Sequence, residues 1–319
     1  MGRLKIVYPV CCGMDVHRDF LIACIAATNA QGVTEYQSRR FSTYTGSLRE
    51  LRDWLLANDC KDVCMESTGK YWFPVHNILE ESCHVVVSHP KFVKAIKGKK
   101  TDKKDAQWIA DLFKHDLVRG SFIPPKDIRQ LRDLCRYWVK LSSYMTGEKN
   151  RAQNCLTVSN FKLDDVFSNV FGKSASAITT QLLEHPGEQF DVAPFVDGRC
   201  KTPIAQIQEA VDGIFTYEQA EKLKIIRGHM DSLERHKAEL ESLILEIAQN
   251  YLPQIELLLT VPGIHDAFTA IRILAEIGAD MTVFDTSKHL CSWAGLTPQN
   301  AESAGKKLSL IHISEPTRP

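Results

Sequence analysis

The stretch "IVYPVCCGMDV", Ile6 to Val16, decides how this chain is read. It is an apolar run that arrives at a carboxylate, Asp15, after a string of apolar or small residues. A few polar residues later comes a second apolar run, "FLIACIAAT", Phe20 to Thr28, and that spacing predicts a hairpin. "VTEYQSRRFST", from Val33, supplies a third strand. Then the rhythm changes. "SLRELRDWLLAND" puts Leu48, Leu51, Trp54 and Leu55 on one face of a helix, with Ser47 placed to cap it. "KDVCMEST" is a short strand ending at Glu66, "KYWFPVHNILEES" a helix, "HVVVSHP" another strand, and Thr101 to Val118 a helix with Ala106, Ile109, Ala110 and Phe113 on one side. A strand meander followed by strand–helix alternation predicts a mixed α/β sheet with helices packed on it.

The middle of the chain is helical. Leu131, Leu134, Trp138, Leu141 and Met145 follow steps of three and four, with Ala152 and Cys155 further on. A second run, Leu223, Ile226, Met230, Leu233, Leu240, Ile244, Ile247 and Tyr251, does the same, with Lys237 as its one polar break. Two long helices of this kind form an antiparallel arm or offer a face to a second chain. Between them "HPGEQFDVAPFVDGRCKTP", dense in Pro and Gly, predicts a loop or poorly ordered excursion. After Pro253, "LLTVPGIHDAFTAIRILAEIG" has a Pro-Gly turn before a helix carrying Phe268, Ile271, Leu274, Ala275 and Ile277. It resembles a helix-hairpin-helix, whose turn amides suit a DNA phosphate. Thr286 or Ser287 is placed to cap a short helix that Gly295 would end.

Composition excludes more than it assigns. Lys and Arg number 39, as do Asp and Glu, so a nucleic-acid partner needs local basic patches rather than net charge. The ten cysteines show no CxxC pairing and no histidine cluster completes a zinc site; mostly free, buried thiols in a reducing cytoplasm are expected. There is no signal peptide pattern, and no stretch approaches the roughly 18 apolar residues of a membrane span.

Four acids carry the candidate chemistry. Asp15 and Glu66 end apolar strands, and Asp102 and Asp105 lie three apart at a helix start, hence on one face. Oxygen donors so placed suit magnesium, and two such ions can clamp the attacked and leaving oxygens of a phosphodiester. Singly, each acid has a structural alternative: strand-end acids cap turns, and Asp102 can serve as an N-cap with Asp105 complementing the dipole. Around the pair, "KFVKAIKGKKTDKKDA" sets Lys91, Lys94, Lys97, Lys99, Lys100, Lys103 and Lys104, a segment suited to phosphate backbones. Tyr71, Trp72 and Phe73 suit base stacking or core burial equally.

"GMDVHRDFLIACI", "MESTGKYW", "HPKFVKAIKGKKTDKKDAQWIADL" and the segment from "LLTVPGIHDAF" to "NAESAGKK" strongly resemble the DEDD transposases of the bacterial insertion-sequence 110 group. The resemblance implies an RNase H-like domain, similar to the junction resolvase RuvC, over 5–125. It implies a helical, coiled-coil segment with a loop insert over 127–252, and a small, incomplete α-helical transposase domain over 253–307. Motif by motif, it makes Asp15, Glu66, Asp102 and Asp105 the catalytic and Mg2+-binding acids and Ser303 the nucleophile, with Lys306, like Lys97, Lys99, Lys100, Lys103 and Lys104, a nucleic-acid contact. It further implies donor and target DNA, a noncoding bridge RNA, a dimer or tetramer in which acids and serine meet from different subunits, and a bacterial, nucleoid-associated protein in the cytoplasm. Two rivals stand beside it: a junction endonuclease using water, and a catalytically inactive nucleic-acid-binding protein. Finally, "LSLIHISEPTRP", Leu308 to Pro319, can be written in codons that match a transposon-derived sequencing adapter. Native sequence is therefore expected to end at about Lys307, leaving a C-terminally truncated, weak or inactive recombinase with a loosely packed tail and an exposed Ser303.

Overall fold

The computed structural model describes residues 4–66, 69–90 and 101–296, together with the backbone strands 302–303 and 306–307. The chain divides into two compact units, Met1–Ile123 and Pro124–Pro319.

The first unit is built on β1 (Val10–Val16), β2 (Phe20–Thr28), β3 (Thr34–Ser42), β4 (Asp62–Glu66) and β5 (His84–Ser88). Their order in the sheet is β3-β2-β1-β4-β5. β1 pairs antiparallel with β2 and parallel with β4, β2 antiparallel with β3, and β4 parallel with β5. An antiparallel meander extended by two parallel strands is the RNase H-like arrangement that the resemblance implies. Helices α1 (Thr45–Ala57), α2 (Trp72–Leu79) and α3 (Asp102–Lys114) complete the unit.

Strand alternation sorts the side chains onto two faces. Cys12, Met14 and Val16 of β1 join Leu21, Ala23 and Ile25 of β2 and Val63 and Met65 of β4 in one core, closed by Leu48, Leu51 and Leu55 of α1 and Val75 and Leu79 of α2. Cys11, Ala26 and Cys64 face the other way and pack under Ile109, Ala110 and Phe113 of α3. One expected detail differs. Ser47 lies inside α1 rather than capping it; the capping position falls on Tyr44, which makes no side-chain cap bond. Ser47 instead uses its hydroxyl to accept the Ser42 N–H at 3.2 Å, which ties the helix start to the end of β3.

The second unit is helical. α4 (Lys126–Val158) and α8 (Tyr217–Ala248) run antiparallel. Ile128, Leu131 and Cys135 meet Ile244 and Ala248, Leu141 and Met145 meet Leu233, and Ala152, Cys155 and Leu156 share a core with Ala220, Leu223 and Ile226. Lys237, the break in the second apolar run, rests 4.5 Å from the centre of the Trp138 ring. Trp138 also donates its indole N–H to Glu241 at 2.7 Å. Between the long helices, α5 (Leu163–Val166), α6 (Lys173–Glu184) and α7 (Ile204–Ala210) add Leu163, Ile178, Leu182 and Ile207 to the core. The Pro- and Gly-rich stretch is a loop, but one that packs: Val192 is fully buried and the Phe190 and Phe195 rings meet edge-on at 5.7 Å.

The chain continues with α9 (Leu252–Leu259), α10 (Ala267–Ile277), α11 (Ser287–Trp293) and the two-residue strands β6 (Glu302–Ser303) and β7 (Lys306–Lys307). Asp266 caps α10 by accepting the Thr269 N–H, and Thr286 caps α11 by accepting the His289 N–H. Gly295 follows α11 with a φ of 72°, the left-handed conformation that suits glycine at a helix end. Ala270, Ile271, Leu274 and Ala275 of α10 pack on Ile128, Leu131 and Cys135 of α4. Arg132 donates to the final carbonyls of α10, Ala275 and Glu276, at 2.9 Å each. Arg136 grips the Glu276 carboxylate with two bonds of 2.8 Å. Among the described residues no helix is long and apolar enough to cross a membrane.

Candidate active site

The site grows out of the sheet alternation. On β1 the residues facing α3 are Cys11, Gly13 and Asp15, so the strand delivers a carboxylate on the helix side at its C-terminal end. On β4 the same face carries Cys64 and then Glu66, the strand's last residue. The parallel register pairs Met14 with Met65, and one step further along sets Asp15 beside Glu66.

α3 brings the other two acids. Ala106, Ile109, Ala110 and Phe113 form its buried stripe. Counting back by three and four, the stripe continues to Asp105 and Asp102, so the acids occupy the sheet-facing side one turn beyond the apolar contact. Thr101, rather than Asp102, caps the helix; its hydroxyl accepts the Lys104 N–H, and Asp102 and Asp105 lie in the first turn, where negative charge suits the helix dipole. Gly13 permits the approach. A Cβ on it would fall inside the Ala106 carbonyl and the Ala110 peptide nitrogen, so only glycine lets α3 settle this close to β1.

The tightest cluster consists of Asp15, His17 and Asp102, whose ligand atoms all lie within 4.8 Å of one another. His17 Nε2 is 3.2 Å from Asp15 Oδ2 and 3.7 Å from Asp102 Oδ1. Glu66 and Asp105 stand outside this group of three but close enough for their charge to act on Asp15. Burial pushes the Asp15 carboxyl above the ordinary carboxylate range; His17 opposes this, while Asp102, Asp105 and Glu66 push it further up. The charges of four acidic side chains thus act on one another at this end of the sheet. The cluster itself offers two carboxylates and one imidazole at the rim, and carboxylate oxygens suit a hard, oxygen-seeking cation. By contrast, burial pushes the thiols of Cys11 and Cys64 up to about 12 each, which makes them packing groups rather than ligands.

His17 is the residue that sequence reasoning missed. Its signal was the i, i+2 spacing from Asp15, which keeps both on one face of an extended strand. Lys103 and Lys104 are exposed at the start of α3, and the charge of Lys103 reaches Cys24 on β2. Lys97, Lys99 and Lys100 lie outside the described residues. For Ser303 and Lys306 only the backbone is described: they pair with each other across β6 and β7. The tail from Leu308 lies outside the described residues. Trp72 is core, stacked on Phe73 at 4.0 Å, whereas Tyr71 and Phe73 are exposed at the start of α2.

Residues 12–160 match a family model of DEDD transposases of the IS110 type, described as "Transposase". Residues 255–315 match "Transposase IS116/IS110/IS902 family". Among solved structures, Thermus thermophilus RuvC aligns at 14% identity over 35% of this chain and 99% of its own, with a TM-score of 0.29. The T. thermophilus RuvC complex with a Holliday junction substrate aligns at 13% over 35% and 99%, with a TM-score of 0.27. Fowlpox virus resolvase with Holliday junction DNA aligns at 14% over 33% and 72%, with a TM-score of 0.23. A search of curated proteins gives no significant match. Both family matches support a DNA transposase or recombinase. Its two matched regions are those of the IS110 transposase family.

Proposed function

We propose that this chain cleaves and rejoins DNA with Asp15, Glu66, Asp102 and Asp105 as metal-holding acids and Ser303 as the nucleophile, guided by a noncoding bridge RNA. The observation that carries the reading is the meeting of Asp15 and Asp102 within one cluster, with Glu66 and Asp105 pressing their charge on the same carboxyl. Magnesium is the metal this oxygen donor set fits, and when bound it supplies Lewis-acid polarisation of the scissile phosphate.

The chain's own groups do the rest. His17 holds the Asp15 carboxylate in one orientation through its Nε2 contact. Ser303 Oγ forms a bond to phosphorus as the phosphate's bond to one DNA oxygen breaks; that oxygen leaves with a proton. The hydroxyl of an incoming strand then attacks the phosphoserine, restores a DNA phosphodiester and returns the serine. Two exchanges of equal bond type need no ATP. Lys103, Lys104, Lys306, Lys97, Lys99 and Lys100 neutralise backbone phosphates. The chain acts as a multimer, since the reading asks acids and serine to meet from different subunits.

The test is strand exchange by the full chain with magnesium, donor DNA, target DNA and the noncoding RNA encoded beside its gene. Asp105→Asn abolishes exchange and leaves RNA binding nearly intact, and Ser303→Ala abolishes the protein–DNA adduct that survives denaturation. Wild-type exchange rates in Asp105→Asn overturn the metal assignment. DNA cleavage that persists in Ser303→Ala without an adduct assigns the attack to water instead.

A further inference from the structure

The α3 face of the sheet continues past the acids. Asp15 of β1 pairs with Ile22 of β2, and Ile22 with Arg40 of β3, so Asp15 and Arg40 belong to one cross-strand row. With strands about 4.8 Å apart, Arg40 starts roughly 10 Å from Asp15 along that row. Phe20 lies on the same face of β2, and the Arg40 guanidinium sits 4.1 Å from the centre of its ring. The Phe20 ring in turn lies 4.7 Å from the His17 ring. A continuous line of side chains therefore runs from Asp102 and Asp15 through His17 and Phe20 to Arg40.

Arg40 is exposed, and among the described residues it makes no ion pair. An arginine with four carboxylates along its own face is parked on an aromatic ring instead. A guanidinium carbon held 4.1 Å from a ring centre is placed for a cation–π contact, which consumes none of the N–H donors that grip phosphate bidentately. It also restrains a side chain that would otherwise lose much rotamer freedom on binding. The neighbours differ. Arg39 points to the opposite face, over Phe41 at 4.8 Å. Tyr36, further along the Arg40 face, is already engaged by Asp111 and Lys114.

We infer that Arg40, held on Phe20, is a phosphate-binding residue that takes the DNA backbone beside the phosphate presented to the acids. The inference rests on the reading that these acids process DNA. Its role is to offset the repulsion between a polyanionic strand and a carboxylate cluster on the β2–β3 side.

The experiment measures binding of a labelled synthetic DNA duplex to the full chain by fluorescence anisotropy, between about 50 and 200 mM salt. Arg40→Gln should weaken binding several-fold and reduce the slope of log affinity against log salt by about 0.9, the value of one duplex phosphate. Arg39→Gln should change neither. Arg40→Lys should keep the slope and lose part of the affinity, because the charge remains and the fork does not. Thermal melts of these surface variants should match the wild type. An unchanged slope and affinity in Arg40→Gln, or an equal loss in Arg39→Gln, overturns the inference and leaves the acids' assignment untouched. A wild-type chain that does not bind the duplex at any salt also overturns the inference, while the acids' assignment is decided separately by the RNA-guided exchange of Asp105→Asn.

Discussion

Gly13 of β1 and Ala110 of α3 meet backbone to backbone, with no room for even a methyl group between them. This contact sets the distance between the two elements that supply Asp15 and Asp102. The acid cluster therefore depends on a residue that has no side chain to contribute.

Gly13→Ala should destabilise the fold by at least about 1–3 kcal/mol, the cost of overpacking a site whose neighbours are backbone. With the acids holding metal as proposed, it should also weaken any thermal stabilisation by added magnesium, because α3 carries Asp102 and Asp105 away from Asp15. Gly46→Ala is the control: a Cβ there meets nothing and the residue is helical, so a gain of up to about 1 kcal/mol is expected. Calorimetry of both variants, with and without magnesium, checks the pair.

Asp15→Asn should raise the melting temperature of metal-free protein while abolishing its response to magnesium. The folded state holds the Asp15 carboxyl above its unfolded range, chiefly by burial. Stability from this group is thus fully present below the unfolded carboxylate range and is lost as pH rises through the folded value. At neutral pH the charged carboxylate is a cost, which the amide removes. The gap between variant and wild type should close on acidification into the ordinary carboxylate range. A variant that melts below wild type in chelator at neutral pH would contradict this.

Arg132 and Arg136 both join α4 to α10, yet their truncations should differ. Arg132 is 19% exposed and donates to two helix-terminal carbonyls, so Arg132→Ala should cost about 1–3 kcal/mol. Arg136 is 64% exposed and should cost about 0–1 kcal/mol despite its two short bonds. The Arg136 bonds hold Glu276 below the usual carboxylate range, against burial. Their contribution is present above the unfolded value of Glu276 and falls away as pH drops through the folded one. Denaturant melts of both variants at neutral and acidic pH separate the two effects.

Thiol labelling of the native protein should modify Cys200 and Cys291, which are half-buried, and spare the eight buried cysteines until the chain unfolds. Mass spectrometry after brief alkylation reads this directly. Early modification of Cys11 or Cys64, whose thiols are pushed up to about 12, would contradict the packing of α3 on the sheet.

Much of the sheet was legible because its signals are periodic. The apolar runs of β1, β2 and β4 and the stripe of α3 place Asp15, Glu66, Asp102 and Asp105 without reference to any fold. His17 offered only its two-residue spacing from Asp15, a signal easily passed over because a single imidazole after a strand end repeats nothing. Arg40 needed two strand registers before it could be placed in a row with Asp15. Ser47 looked like a cap because capping is judged by residue type, whereas the chain entered the helix three residues earlier, after Tyr44. The Pro- and Gly-rich insert read as loose because its few aromatics are scattered; the partners of Phe190, Val192 and Phe195 lie on distant helices.

Lys237 and Glu241, one turn apart on α8, both address Trp138, one at the ring face and one at the indole N–H. The pair works as a key for the long hairpin. Leucines along an apolar seam are nearly interchangeable, so helices slipped by one turn would bury comparable area. Slippage here would strand an ammonium among aliphatic side chains and leave an indole N–H without an acceptor, and that penalises every alignment but one. Insertions or deletions in either long helix should therefore be tolerated only where they leave this three-residue lock in phase.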